Sequence, residues 1–168
     1  KMGEDIEEME RMLNEYLEFA SHQKNEETEL INLNVIIKDI AKKYDKNRIN
    51  LFLEENPEIS IRPNSIKRCL INLIDNALAY GKKAEIFTKK TMNAMVILID
   101  DDGLGIPESE YQNVLKPFYR IDKSRSQNKS GVGLGLSIAN DIVRAHGGNI
   151  SLEKSPLSGL RVKVSLPF

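Results

Sequence analysis

Cysteine is almost absent. The 168 residues contain one, Cys69, which excludes an internal disulfide and fits a reducing compartment. An excess of either charge is also missing. With 24 basic and 25 acidic side chains the net charge is -1, so bulk charge gives no reason to expect nucleic acid or an anionic membrane as partner. Long apolar runs are lacking too. The longest, Ala94–Ile99 (AMVILI), is strand-sized beside the ~20 residues that span a bilayer, and no signal-peptide pattern is visible. The chain opens inside a helical pattern and reads as a fragment of something longer, which leaves room for a membrane segment upstream.

What is present is a core. Hydrophobic residues make up 40% and charged residues 29%, enough for one domain plus an extra element. Met2, Ile6, Met9, Leu13, Tyr16 and Ala20 form a heptad seam. Met12, Leu17 and Phe19 widen it, which suits a helical bundle. Residues 1–21 therefore read either as a dimerising helix or as an amphipathic helix packed on its own domain. Residues 22–29 are polar and read as a linker, and residues 30–168 as the main domain.

Within that domain INLNVIIKDIAKKYD (Ile31–Asp45) predicts a short strand and then a helix with Val35, Ile36, Ile40 and Tyr44 on one side. INLFLEE and ISIRP read as strands joined by Asn56-Pro57. Pro63 starts a helix whose apolar face is Ile66, Cys69, Leu70, Leu73, Ala77 and Tyr80, and Gly81 ends it. Strands around Met92-Asn93, a short helix PESEYQNVL, a helix from about Gly133 to His146 and two final strands complete the pattern. The mixture predicts an α+β fold, a two-layer sandwich with helices on one face of a mixed, largely antiparallel sheet. The βαβ alternation of a doubly wound fold is not evident.

Four stretches have the makings of chemistry. Asn72 and Asn76 lie one helical turn apart at the border of the apolar face. An amide oxygen is a neutral, hard ligand for Mg²⁺ whose charge is balanced by phosphates; the alternative is a pair of exposed or capping asparagines. DDDGLGI (Asp100–Ile106) puts carboxylates and two glycines at a strand end. A carboxylate only accepts hydrogen bonds, so an exocyclic NH₂ is a natural partner; an acidic turn is the alternative, and the pattern of an EF-hand Ca²⁺ loop is not met. KPFYRIDKSRSQNKS (Lys116–Ser130) is basic, suiting a mobile lid over a triphosphate or a solvated loop. GVGLGL opens a helix with glycines at 131, 133 and 135. It matches neither G-x-G-x-x-G nor a P-loop, so a phosphate cradle at a helix N-terminus and a plain hinge both stand.

The order of these four resembles the ATP-binding catalytic domain of sensor histidine kinases of two-component systems. These belong to the GHKL superfamily, with type II topoisomerase, chaperone and mismatch-repair ATPases. The similarity covers about residues 30–168 and is osmosensor-like in IKRCLINLIDNALAYG, DDGLGI, KPFYR and GVGLGLSIANDIVRAHGG. It implies a Bergerat-type fold and ATP with Mg²⁺ as cofactors. It implies Asn76 as catalytic metal ligand with Asn72 beside the phosphates, and Asp101 as acceptor from the adenine amine. Gly103 and Gly105 would admit the base, Tyr80 would contact it, and Phe118 would anchor the lid. Arg120 and Arg125 would meet phosphate, and Gly131, Gly133, Gly135 and Leu136 would form the hinge and cradle. The N-terminal stretch EDIEEMERMLNEYLEF resembles the second helix of these kinases' dimerisation domain.

Two departures matter. Ala79 stands where the family usually has Lys, Arg or His, so a phosphate-binding cation is missing; Lys82, Lys83 or a lid arginine are the substitutes at hand. No phosphoacceptor motif is present either. His22 lacks the residues that follow such a histidine, and His146 precedes Gly-Gly at a helix end, where a cation suits the dipole and the role is structural. The resemblance therefore implies an ATP-dependent protein-histidine kinase fragment. Its expected partners are a response regulator and its own dimerisation and phosphoacceptor domain, in a homodimer. Its expected place is the cytoplasmic portion of an inner-membrane sensor. A nucleotide-binding pseudokinase and a chaperone or repair ATPase are the rival readings.

Overall fold

The computed structural model describes residues 26–55, 57–119 and 135–168, with positions 6, 7, 10, 11, 13, 14, 17 and 18 of the N-terminal segment. Those eight positions are helical, and Ile6, Leu13 and Leu17 are exposed. The other seam positions, His22 and most of the basic segment lie outside the described residues.

The domain begins with β1 (Glu29–Asn32) and α1 (Leu33–Ala41), followed by β2 (Ile49–Phe52) and β3 (Glu58–Ile61). The long α2 (Pro63–Tyr80) leads to the hairpin β4 (Ala84–Lys90) and β5 (Ala94–Asp101). Then come α3 (Gly135–Ala145) and the hairpin β6 (Asn149–Lys154) and β7 (Leu160–Pro167). A five-stranded sheet has the order β2-β4-β5-β7-β6, and β1 pairs with β3 in a separate two-stranded sheet. All neighbours are antiparallel except β2 and β4. A parallel pair needs a crossover, and here α2 supplies it. This is the expected two-layer sandwich.

Pleat parity explains the core. On β7 the alternate residues Leu160, Val162, Val164 and Leu166 are buried, as are Ala84 and Ile86 on β4. The central β5 is buried on both faces along nearly its whole length, and its Met95, Ile97 and Ile99 join the main core. Against that face lie Ile66, Leu70, Leu73 and Ala77 of α2 and Ile138, Ala139 and Ile142 of α3. Cys69 Sγ meets the Ala139 carbonyl at 3.8 Å. Burial pushes its thiol up to about 12, so it is an inert core residue.

Some local expectations are corrected. Val35 is exposed on α1, while Leu33, Ile37 and Ile40 are buried. Asn32 accepts from the Asn34 N–H and caps the helix, so Leu33 is its first residue and the 3.6-residue period shifts the buried stripe. PESEYQNVL forms two 3₁₀ turns, Glu108–Glu110 and Asn113–Leu115. Tyr80 does not complete the buried face of α2 and is 53% exposed. His146 is not a dipole-matched cation: its Nε2 accepts the Arg62 N–H at 3.0 Å, which requires a lone pair.

Candidate functional site

Three consecutive carboxylates leave β5 in three directions. Asp100 shares the outer parity of the strand and is opposite Arg161 of β7. The pair is bidentate, with Nε to Oδ1 at 2.7 Å and Nη2 to Oδ2 at 2.8 Å. Asp102 lies past the strand end, where its Oδ1 accepts from the N–H groups of Lys82 at 2.7 Å and Lys83 at 2.9 Å. Those two bonds, the Lys83 one foremost, hold its carboxyl below the ordinary value. Asp101 alone has the parity of Ile97 and Ile99 and so faces the helical layer.

Asp101 is buried, 4% exposed. Its Oδ1 accepts from the backbone N–H of Gly103 at 3.0 Å and of Leu160 at 3.1 Å. Its Oδ2 takes no hydrogen bond among the described residues. Burial is the largest influence on this carboxyl and raises it; the two backbone bonds oppose that, and the net direction is upward. The site therefore contains a fixed acceptor with one oxygen committed and one to spare.

Glycine is demanded around it. A Cβ on Gly103 would stand 2.5 Å from the Tyr80 carbonyl oxygen, and Gly105 has φ +73°. The loop after β5 is thus pressed against the last turn of α2. Arg48 fixes that turn from the other side, donating to the carbonyls of Leu78 at 2.8 Å, Gly81 at 3.2 Å and Lys82 at 3.0 Å. Gly159 was not anticipated from the sequence: a side chain there would run into Asp101 Oδ1 and its carbonyl. The only local signal was a glycine in the turn between the last two strands.

Asn72, Asn76 and Tyr80 follow one another at intervals of four along α2, a stripe about 12 Å long at 1.5 Å per residue. Asn72 and Asn76 are half-buried. Asn72 Nδ2 is buried and has no partner among the described residues, an orphan donor of the kind an anionic ligand satisfies. The stripe runs out from the Asp101 end of the helix. At the opposite end of α2 a separate groove of about 370 Å³, lined by Val35, Ile36, Lys38, Pro63 and Lys67, contains none of these residues.

Phe118 is half-exposed and adopts φ +66°, a conformation bulky side chains rarely take. Next to it Tyr119 donates its hydroxyl to Glu110. Gly135 opens α3, where a Cβ would meet nothing among the described residues. Leu136 packs partly against the core. Arg120, Arg125, Gly131 and Gly133 lie outside the described residues. Lys82 and Lys83 are exposed beside the Asp102 turn. No cluster of three or more His, Cys, Asp or Glu side chains suited to a metal occurs among the described residues. An amide such as Asn76 therefore fits a hard cation only when other oxygens, such as phosphates and water, complete the shell.

Comparison with known proteins follows this geometry. Residues 61–168 match the family described as histidine kinase-, DNA gyrase B- and HSP90-like ATPase. The sensor histidine kinase GtrS of Pseudomonas aeruginosa is 34% identical over 99% of this chain and 35% of its own length. The signal transduction histidine-protein kinase ArlS of Staphylococcus aureus is 37% identical over 66% of this chain and 25% of its own. The chain thus spans about a third or less of these curated relatives. Among solved structures, the ATP binding domain of PrrB from Mycobacterium tuberculosis superposes with a TM-score of 0.68 at 26% identity, covering 84% of this chain and 97% of that one. The catalytic domain of histidine kinase ThkA gives 0.72 at 25%, covering 84% and 95%. No helix among the described residues is long and apolar enough to cross a membrane.

Proposed function

Because the chain belongs to the histidine kinase-, DNA gyrase B- and HSP90-like ATPase family and is an ATP-binding domain of the sensor histidine kinase type, we propose that it seats ATP between α2 and the loop after β5 and transfers the γ-phosphoryl group to a histidine outside this chain. The observation that carries this reading is Asp101: a buried carboxylate with one oxygen locked by two backbone amides and the other spare.

In this reading Asp101 Oδ2 accepts from the adenine amine, Gly103 and Gly105 admit the base, and Tyr80 offers an aromatic face. Asn72 donates to phosphate, and Asn76 gives its amide oxygen to Mg²⁺. Asn76 would hold the ion, which would supply neutralising charge to the phosphates. Phe118 anchors a lid in which Arg120 and Arg125 meet phosphate, with Gly131, Gly133, Gly135 and Leu136 as its hinge. The domain positions and neutralises; the nucleophile is the imidazole nitrogen of the acceptor. Its N–P bond forms as the γ-phosphorus to bridging-oxygen bond breaks and ADP leaves.

Residues 1–21 are the end of a dimerisation helix and 22–29 its linker. The full protein is a homodimer that serves a response regulator from the cytoplasmic side of a membrane. Calorimetry of Mg²⁺ with a non-hydrolysable ATP analogue tests the site. Unchanged affinity in both Asn76→Ala and Asp101→Ala overturns it. Labelled ATP with a supplied acceptor-helix domain tests the transfer. Binding without transfer by the full-length protein instead supports a nucleotide-sensing pseudokinase, the reading that Ala79 favours.

A further inference from the structure

The first turn of α2 is held by side chains from two distant parts of the chain. Arg62 precedes the helix without a side-chain cap, and Pro63 has no N–H. The N–H groups of Asn64 and Ser65 donate to the Glu26 carboxylate at 2.8 and 3.0 Å, and the Ser65 hydroxyl joins them at 2.9 Å. The Arg62 N–H donates to His146 Nε2 at 3.0 Å, while His146 Nδ1 lies 2.8 Å from the Ile142 carbonyl. A carbonyl only accepts, so Nδ1 carries the proton and Nε2 the lone pair. The ring is neutral and in one tautomer. Glu26 belongs to the linker, and His146 follows the last turn of α3.

We propose that Glu26 and His146 are positioning residues of an acid-sensitive clasp that ties the linker, the first turn of α2 and the end of α3 together. Protonation turns Nε2 from acceptor to donor, and the Arg62 N–H loses its partner. The imidazolium then lies beside the positive end of α2. The charged groups acting on the ring are Arg62, from the turn before α2, and Glu26, from the linker. Burial, the largest influence, holds His146 below its ordinary 6.5, and Arg62 adds to this while Glu26 opposes it. Burial would raise Glu26, yet the bonds from Asn64 and Ser65 outweigh it and hold the carboxyl low. A histidine lowered on folding contributes stability that is present above its unfolded value and lost as pH falls toward the folded one. The clasp thus opens on the acid side of 6.5.

This holds whether or not the chain binds nucleotide, so the test uses the nucleotide-free chain. Nitrogen-15 NMR of the imidazole reads the tautomer. Exchange protection of the Arg62, Asn64 and Ser65 amides is followed from pH 8 to 5. The expected result is the Nδ1–H tautomer at high pH and a loss of Arg62 protection of at least tenfold on acidification. His146→Gln retains an acceptor that does not titrate and should keep Arg62 protected throughout. Glu26→Gln should lower the His146 midpoint, because it removes the negative charge that favours the imidazolium. An Nε2–H tautomer, or Arg62 protection independent of pH in the wild type, overturns the clasp. So does a His146 midpoint unmoved by Glu26→Gln, a readout that survives even if His146→Gln fails to fold.

Discussion

Asp101→Asn separates recognition from stability. Asparagine retains an Oδ1 for the Gly103 and Leu160 amides, which hold the wild-type oxygen at 3.0 and 3.1 Å. The spare Oδ2 becomes an NH₂, which in the proposed pose would face the adenine amine donor to donor. Losing a hydrogen bond to a charged acceptor costs about 1.5–3 kcal/mol, so ATP affinity should fall roughly 10- to 150-fold at 1.4 kcal/mol per decade. Stability should move the other way. Burial outweighs the backbone bonds and raises the Asp101 carboxyl. An acid raised on folding is more stable folded when protonated, and its contribution is lost as pH rises through the folded value. A neutral isostere at pH 7 should therefore melt no lower than the wild type. An NH₂ also suits a carbonyl on the base, so the ratio of GTP to ATP affinity should rise. Calorimetry with both nucleotides and a thermal melt decide the matter. Unchanged ATP affinity, or an affinity loss accompanied by a melting point several degrees lower, refutes the reasoning.

Other outcomes follow from the same geometry. Gly103→Ala forces a Cβ against the Tyr80 carbonyl at 2.5 Å and should destabilise the domain by about 1–3 kcal/mol, seen in urea unfolding. Leu73→Ala empties a site 1% exposed and should cost about 2–5 kcal/mol in the same assay. Arg161→Leu leaves the buried Asp100 unpaired and should cost about 3–5 kcal/mol, much of which Asp100→Leu should restore in the double variant. Asn76→Ala should leave the melting temperature within about 2 °C, since a half-buried amide supports no core, while abolishing the Mg²⁺-dependent part of nucleotide affinity in calorimetry.

The elements that were legible in the sequence are those whose cause is local. Period-two burial on β7, the Pro63 start of α2 and the turn at Met92-Asn93 are each written within a few residues. The Asn72 and Asn76 pair is likewise a matter of helical spacing, whereas Tyr80, expected on the apolar face, is 53% exposed. Misreadings arose where a neighbouring side chain moved a boundary. The Asn32 cap makes Leu33 the first residue of the helix, and the buried face of α1 runs through Leu33, Ile37 and Ile40, with Val35 exposed. Least legible were features made by residues far apart in sequence. Nothing near Asp101 announces that the Leu160 amide, 59 positions on, will join Gly103 on one of its oxygens. Nothing near Ser65 announces Glu26, 39 positions before it.

The three aspartates at the end of β5 carry this furthest. By composition they are one acidic cluster, and an acidic turn was a fair reading of them. Strand parity alone sends Asp100 to the outer face and Asp101 to the helical one. The cross-strand register then neutralises Asp100 with Arg161, and the turn after α2 takes up Asp102. Each of those two has its charge answered from within the protein. Asp101 has the deepest conflict, a carboxyl raised by burial and stabilised by neutral amides only. Its second oxygen takes no hydrogen bond among the described residues and is open to a donor. A donor arriving between α2 and the loop after β5 would meet that open oxygen, which is why the proposed function gives recognition of the base to Asp101 and not to the carboxylates on either side.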